Sequence, residues 1–284
     1  MSVAGPKEWT ESIIAERVKL GRGQGIREAY YPWLLVQEFS SSSNQSRIPC
    51  SIFARTIHTF SYLERCMFMY HEWNGFWDYR EQFPVDRDVV IPLARRLNLP
   101  YPVYRKTRVP FVMTIDALMT TSSPDGELIF SAWDAKPTDK LRMRTVQSAL
   151  RLHEAFCAEL GISHNVFTEK THSPYLLRNI AWARGGLPIH GEVLPTPDFF
   201  TDELERFFAW LTSRRHEHPV FVACTMYDQM RRFEIGTSMR LFKLLVWKKR
   251  LAVNMEAPSL PASLLPRNLV PAGSDERHLR QRRA

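Results

Sequence analysis

Apolar positions along the chain change period several times, and each change marks an element. In "SYLERCMFMYHEW" (61–73), Leu63, Cys66, Met67 and Tyr70 recur at helical spacing, and Ser61-x-x-Glu64 forms a capping box, so the segment predicts a helix. "FWDYREQFPV" (76–85) predicts a strand stopped by Pro84, followed by a loop. "PFVMTIDALMTTSSPDGELIFSAWDAKP" (110–137) predicts two strands joined at Pro124-Asp125-Gly126, a tripeptide suited to a type I turn closed by a left-handed glycine. Leu141, Ala149, Leu152, Phe156 and Leu160 predict an amphipathic helix over about 140–160, ended by Gly161, and "ISHNVFTEK" (162–170) a last strand. The order is helix, three strands, helix, strand: an α/β core.

The flanks read differently. Residues 1–59 form an irregular N-terminal region containing "GRGQG" (21–25) and "SSSSNQS" (40–46). "GRGQG" lacks the third glycine of a dinucleotide fingerprint and the GK[ST] of a P-loop, which leaves a flexible turn. Beyond 170 the pattern is mostly helical. Ser173-Pro174 opens one helix; 198–215 and 219–233 predict two more; 236–255 predicts a helix running into a short strand, as in a winged helix. Residues 257–284 carry four prolines and end in "ERHLRQRRA", too poor in apolar residues to fold alone. The chain therefore divides into 1–170, 171–256 and a disordered basic tail, 257–284.

Charge and cysteine content narrow the class. The 284 residues carry a formal net charge of +8, which is compatible with a polyanionic partner such as nucleic acid. Cys50, Cys66, Cys157 and Cys224 are scattered with no CxxC pair, as in a reduced, cytoplasmic protein. "MSVAGPKEW" is no signal peptide, and no apolar run is long enough to span a membrane.

The hairpin carries the candidate chemistry. With Ser123 paired to Glu127, Asp116 falls opposite Asp134 on one face. Cross-strand Cβ atoms lie ~5 Å apart, and two carboxylates there repel by ~3 kcal/mol at an effective dielectric of ~20. A hairpin otherwise made of Phe, Val, Met, Ile and Trp accepts that cost if a divalent cation such as Mg²⁺ compensates it. Lys136, two residues on, shares the face. A solvent-facing hairpin with scattered charges is the competing reading. Glu64 admits two readings as well, the capping glutamate of Ser61 or a third acid presented to the metal.

Glu on the helix, Asp on one strand and Asp-x-Lys on the next resemble the arrangement of the PD-(D/E)xK nucleases, with Ile115 standing where the name-giving proline would be. "GRGQG" (21–25), "YPWLLVQEFSSS" (31–42), "REQFP" (80–84), "VFTEK" (166–170) and "FEIG" (233–236) together resemble TnsA, the endonuclease family of heteromeric cut-and-paste transposases, from about residue 12 to 255. That resemblance implies a restriction-endonuclease-like αβββαβ core and a winged-helix-like C-terminal domain. It implies catalytic roles for Glu64, Asp116 and Lys136, and a metal-ligand role for Asp134 at a position where members can carry glutamine. Glu64, Asp116, Asp134 and the carbonyl of Ala135 would hold one or two Mg²⁺ ions, with Mn²⁺ able to substitute. His153 stands where relatives can carry an acid and stays outside the expected site. The implied activity is Mg²⁺-dependent cutting at transposon 5′ ends, and the implied partners are double-stranded DNA, a TnsB-like transposase and a TnsC-like AAA+ regulator. A stand-alone restriction or repair nuclease would share the site, and a non-catalytic winged-helix DNA-binding protein would leave the acids unemployed.

Other charged groups are weaker candidates. His216-Glu217-His218 reads as a solvated helix terminus and His71-Glu72 as a helix end, neither having metal-ligand spacing. Arg240, Lys243, Lys248 and Lys249, with Arg250, form a basic set that either contacts DNA phosphates or is simply solvated. The Arg-rich tail reads as an electrostatic arm for DNA or a protein partner.

Overall fold

The computed structural model describes residues 8–39, 44–189, 191–194, 196, 198–213, 218–258, 260 and 269–271. The chain divides after Thr171 into two compact units.

In the first unit, Ser61 caps the helix α2 (Tyr62–Asn74), accepting the Glu64 N–H through its hydroxyl. The strand β3 (Asp78–Pro84) follows, then β4 (Thr114–Ser122) and β5 (Leu128–Ala135). Gly126 takes φ +85° at the turn between β4 and β5, and the Ser123 N–H donates to the Glu127 carbonyl at 2.8 Å. The predicted register holds as far as Ala117 opposite Trp133. The helix α4 (Arg144–Glu159) then crosses over to β6 (Ser163–Phe167), which lies parallel to β5. The four strands stand in the order β3-β4-β5-β6. This is the expected αβββαβ core.

One element departs from expectation. The segment after β3, read as a loop, forms the helix α3 (Arg87–Arg96) despite Pro92 inside it. Asp86 caps it, and Val90, Leu93 and Ala94 bury one face against Met113, Ile115, Leu152, Phe156 and Cys157. That burial offsets the lost proline hydrogen bond.

The N-terminal region is more ordered than its composition suggests. It contains the helix α1 (Glu11–Lys19) and an antiparallel pair, β1 (Ser46–Pro49) with β2 (Thr56–Thr59). "GRGQG" is a packed turn: an added Cβ on Gly23 would sit 2.3 Å from Pro84 Cγ. Behind the sheet, Arg55 forks onto both oxygens of buried Glu81 at 2.7 Å.

The second unit packs α5 (Pro174–Arg184), α6 (Phe199–Ser213) and α7 (Val220–Arg231) around α8 (Thr237–Trp247). Leu241, Phe242, Leu244, Leu245 and Val246 of α8 are buried. Gly186 permits the closest approach, since a Cβ there would stand 2.7 Å from that of Lys243. After α8, β7 (Leu251–Ala252) pairs with β8 (Val270–Pro271). Within the segment read as a tail, Leu260 and Leu269 are buried and Val270–Pro271 pairs with β7. Residues 272–284, with most of the basic run, lie outside the described residues, as do His216 and Glu217.

Candidate active site

The structure brings Glu64, Asp116, Asp134 and Lys136 together. Lys136 Nζ lies 2.7 Å from Asp116 Oδ2 and 3.5 Å from Asp134 Oδ1. The same Asp116 oxygen accepts the Ala135 backbone N–H at 2.8 Å. Glu64 makes the capping contacts and also lies near Asp116. Its Oε2 accepts the Phe60 N–H at 2.8 Å and its Oε1 the Ser61 hydroxyl at 3.0 Å, while the carboxyl feels the charge of Asp116.

Sequence reasoning missed Gln82. Its Nε2 donates to Glu64 Oε2 at 3.3 Å, and its Oε1 accepts the Thr114 hydroxyl at 3.2 Å. The register of β3 with β4 puts Gln82 beside Asp116, at the one interruption in that ladder. There its φ is +49°, a left-handed value that strains a residue with a side chain. Nothing local in "REQFP" announces that conformation.

His164 was also missed, and His153 was set aside. His153 Nδ1 and His164 Nε2 approach Asp134 Oδ2 at 2.7 and 2.8 Å. Asp134 therefore faces two ways, Oδ2 toward the imidazoles and Oδ1 toward Lys136.

Burial sets the protonation of this cluster. Desolvation, then Asp116, pushes Glu64 up to about 8. Desolvation also raises Asp116, although Lys136 opposes it. For Asp134 the desolvation cost is outweighed by His153, His164 and Lys136, which hold its carboxyl well below the usual range. Burial disfavours the Lys136 ammonium, but Asp116 and Asp134 more than offset it and raise its pKa. Two acids resisting ionisation beside a third that stays charged form a set that a divalent cation would complete. Asp134 Oδ1 fits that reading, because it is buried without a hydrogen-bond partner.

The basic set of the second unit separates. The Arg240 guanidinium is shared among Glu192 Oε2 at 2.7 Å and the carbonyls of Gly186 and Leu187. Lys243 Nζ sits 5.3 Å from the Trp182 ring centre. Lys248 and Lys249 are exposed just after α8. His71 and Glu72 close α2, with Glu72 accepting the Ser51 N–H at 2.6 Å. The four cysteines are free, three buried and Cys50 half-buried. Among the described residues, no helix is long and apolar enough to cross a membrane.

A four-stranded mixed sheet bearing this acid, acid and lysine cluster between two helices is of the restriction-endonuclease-like class. Comparison with known proteins narrows the class. A family model described as TnsA-like endonuclease N terminal matches residues 76–169, and one described as TnsA endonuclease C terminal matches 173–255. The chain is 34% identical over 175 residues to the Transposon Tn7 transposition protein TnsA of Escherichia coli, covering 61% of this chain and 63% of that protein. Together these matches make the chain a TnsA-like endonuclease. It spans just under two thirds of the length of that curated relative. Asp116, Asp134 and Lys136 fall within the first match, whereas Glu64 precedes it.

Proposed function

We propose that this chain is the endonuclease subunit of a transposase, cutting DNA at the 5′ ends of its transposon with Mg²⁺ bound at Glu64, Asp116, Asp134 Oδ1 and the Ala135 carbonyl. The observation that carries the reading is the half-buried contact of Lys136 with Asp116 beside a Glu64 that desolvation keeps protonated. A bound divalent cation supplies Lewis-acid polarisation of the scissile phosphate and a more acidic water. The protein's own part is to hold three carboxylates at one point. Lys136, held beside Asp116, would place a fixed positive charge near the phosphate oxygens as negative charge builds. Gln82 would hold the Glu64 carboxyl in place through Nε2.

Similarity to the TnsA family supports a TnsB-like transposase and a TnsC-like AAA+ regulator as partners, and a cytoplasmic location. Mn²⁺ should substitute for Mg²⁺, being less strict about its ligands. Arg240, Lys243, Lys248 and Lys249 are the candidates for phosphate contact in the second unit.

The test is cleavage of end-labelled transposon DNA by the full chain, with and without the TnsB-like protein, in Mg²⁺ and in chelator. Asp116→Ala should abolish strand cutting while leaving assembly with the partner intact. Cutting by Asp116→Ala at the wild-type rate would remove the cluster from the chemistry. Efficient cutting without the partner would point to a stand-alone nuclease.

A further inference from the structure

We infer that Asp134, His153 and His164 form a second cation site, one that takes a first-row transition ion of the Zn²⁺ type in preference to Mg²⁺. Asp134 comes from β5, His153 from α4 and His164 from β6, and one ligand atom from each lies within 4.8 Å of the other two. Side-chain exposure is 0% for Asp134, 5% for His153 and 6% for His164, so the donors converge away from bulk water. Two imidazole nitrogens and one carboxylate oxygen are a donor set favoured by Zn²⁺, Co²⁺ and Mn²⁺, whereas Mg²⁺ prefers oxygen alone. Three protein ligands leave a position for water, as in non-structural zinc sites.

Two features favour a cation over a simple hydrogen-bonded triad. His153 Nε2 is buried with no partner, so nothing on the far side of the ring fixes it as a proton donor to Asp134. Both imidazoles also aim at the same carboxylate oxygen, leaving Asp134 Oδ1 to Lys136. The oxygen used here is thus not the one assigned above to Mg²⁺, and this site stands or falls apart from the nuclease reading. An ion here would tie α4 to the two parallel strands that it connects.

The experiment uses the full chain, stripped with chelator and titrated calorimetrically with Zn²⁺ in the presence of a large excess of Mg²⁺, which competes for oxygen-only sites. One equivalent of Zn²⁺ should bind, and the melting temperature should rise with Zn²⁺. His164→Gln should weaken binding by at least about tenfold, since loss of even an outer partner of a metal ligand costs ~10–100-fold. Asp116→Asn should leave Zn²⁺ binding in place. X-ray absorption of the zinc-loaded wild type should show two imidazole ligands, which needs no variant to fold. Absence of Zn²⁺ binding, binding unchanged in His164→Gln, or binding lost in Asp116→Asn would each overturn the site.

Discussion

Uptake of Mg²⁺ should be linked to a proton held by Glu64. Burial, and then the charge of Asp116, keeps that carboxyl protonated up to about pH 8. A cation arriving below that pH must displace the proton. For a group of that pKa the ionised fraction is roughly one in ten at pH 7 and one in a hundred at pH 6, so apparent affinity falls by ~1.4 and ~2.7 kcal/mol. Wild-type affinity should rise about tenfold per pH unit from this group and level off above pH 8. Glu64→Gln keeps one oxygen for the Phe60 N–H and sets its amide nitrogen beside the Ser61 hydroxyl, whose oxygen can accept it, while removing the titrating charge. Its affinity should be lower, and its pH slope smaller by one proton.

The same group makes a prediction without metal. A carboxyl raised on folding stabilises the native state while it is protonated. That contribution is complete below the unfolded value near 4.5 and is lost as pH rises through about 8. Chelator-treated wild type should lose up to ~1.4 kcal/mol per pH unit across that window through Glu64, a loss Glu64→Gln escapes. Calorimetry with Mg²⁺ in buffers of different ionisation heat, together with urea unfolding in chelator, reads both effects. A wild-type affinity independent of pH between about 6 and 8, or an equal slope in the glutamine variant, would refute the reasoning.

Lys136→Ala should keep Mg²⁺ binding by calorimetry while cleavage falls ~100-fold or more, as for a lost electrostatic stabiliser; loss of metal binding would mean a different role. Arg55→Met leaves Glu81 buried and uncompensated and should cost ~3–5 kcal/mol in urea unfolding, most of it recovered in a double variant with Glu81→Leu. A cost below ~1 kcal/mol would show that solvent reaches Glu81. Removing residues 272–284, and not the β8 strand before them, should preserve the second unit and lower the salt slope of DNA binding by a few units at most, from Arg277, Arg280, Arg282 and Arg283. An unchanged slope would assign that arm to a protein partner.

What could be read from the sequence was local. Pro124-Asp125-Gly126 fixed a turn, the turn fixed a register, and the register put Asp116 and Asp134 on one face. The capping box gave the start of α2, and with it the place of Glu64. The helix α3 was hidden by Pro92, although Asp86, the spacing of Val90, Leu93 and Ala94, and Arg95-Arg96 at the end were all available as signals. His164 meets Asp134 only because β6 lies parallel to β5 after a helical crossover, and no local pattern encodes that pairing. Arg240 reads as a free cation until Glu192, 48 positions earlier, is placed against it. The burial of Leu260 and Leu269 was invisible for the same reason: a proline-rich stretch with few apolar residues can still be anchored at separate points.

Glu64 ties the start of α2 to the acidic cluster, and that gives the site a built-in reporter. The Phe60 amide hydrogen is held by the Glu64 carboxyl oxygen that Gln82 also holds. Its exchange with solvent deuterium therefore measures how tightly that oxygen is retained. When Mg²⁺ arrives, the protection of this one amide should change, while amides deep in β4 keep theirs. Occupancy of the site could then be followed residue by residue in the intact protein, with no DNA present and no catalysis under way.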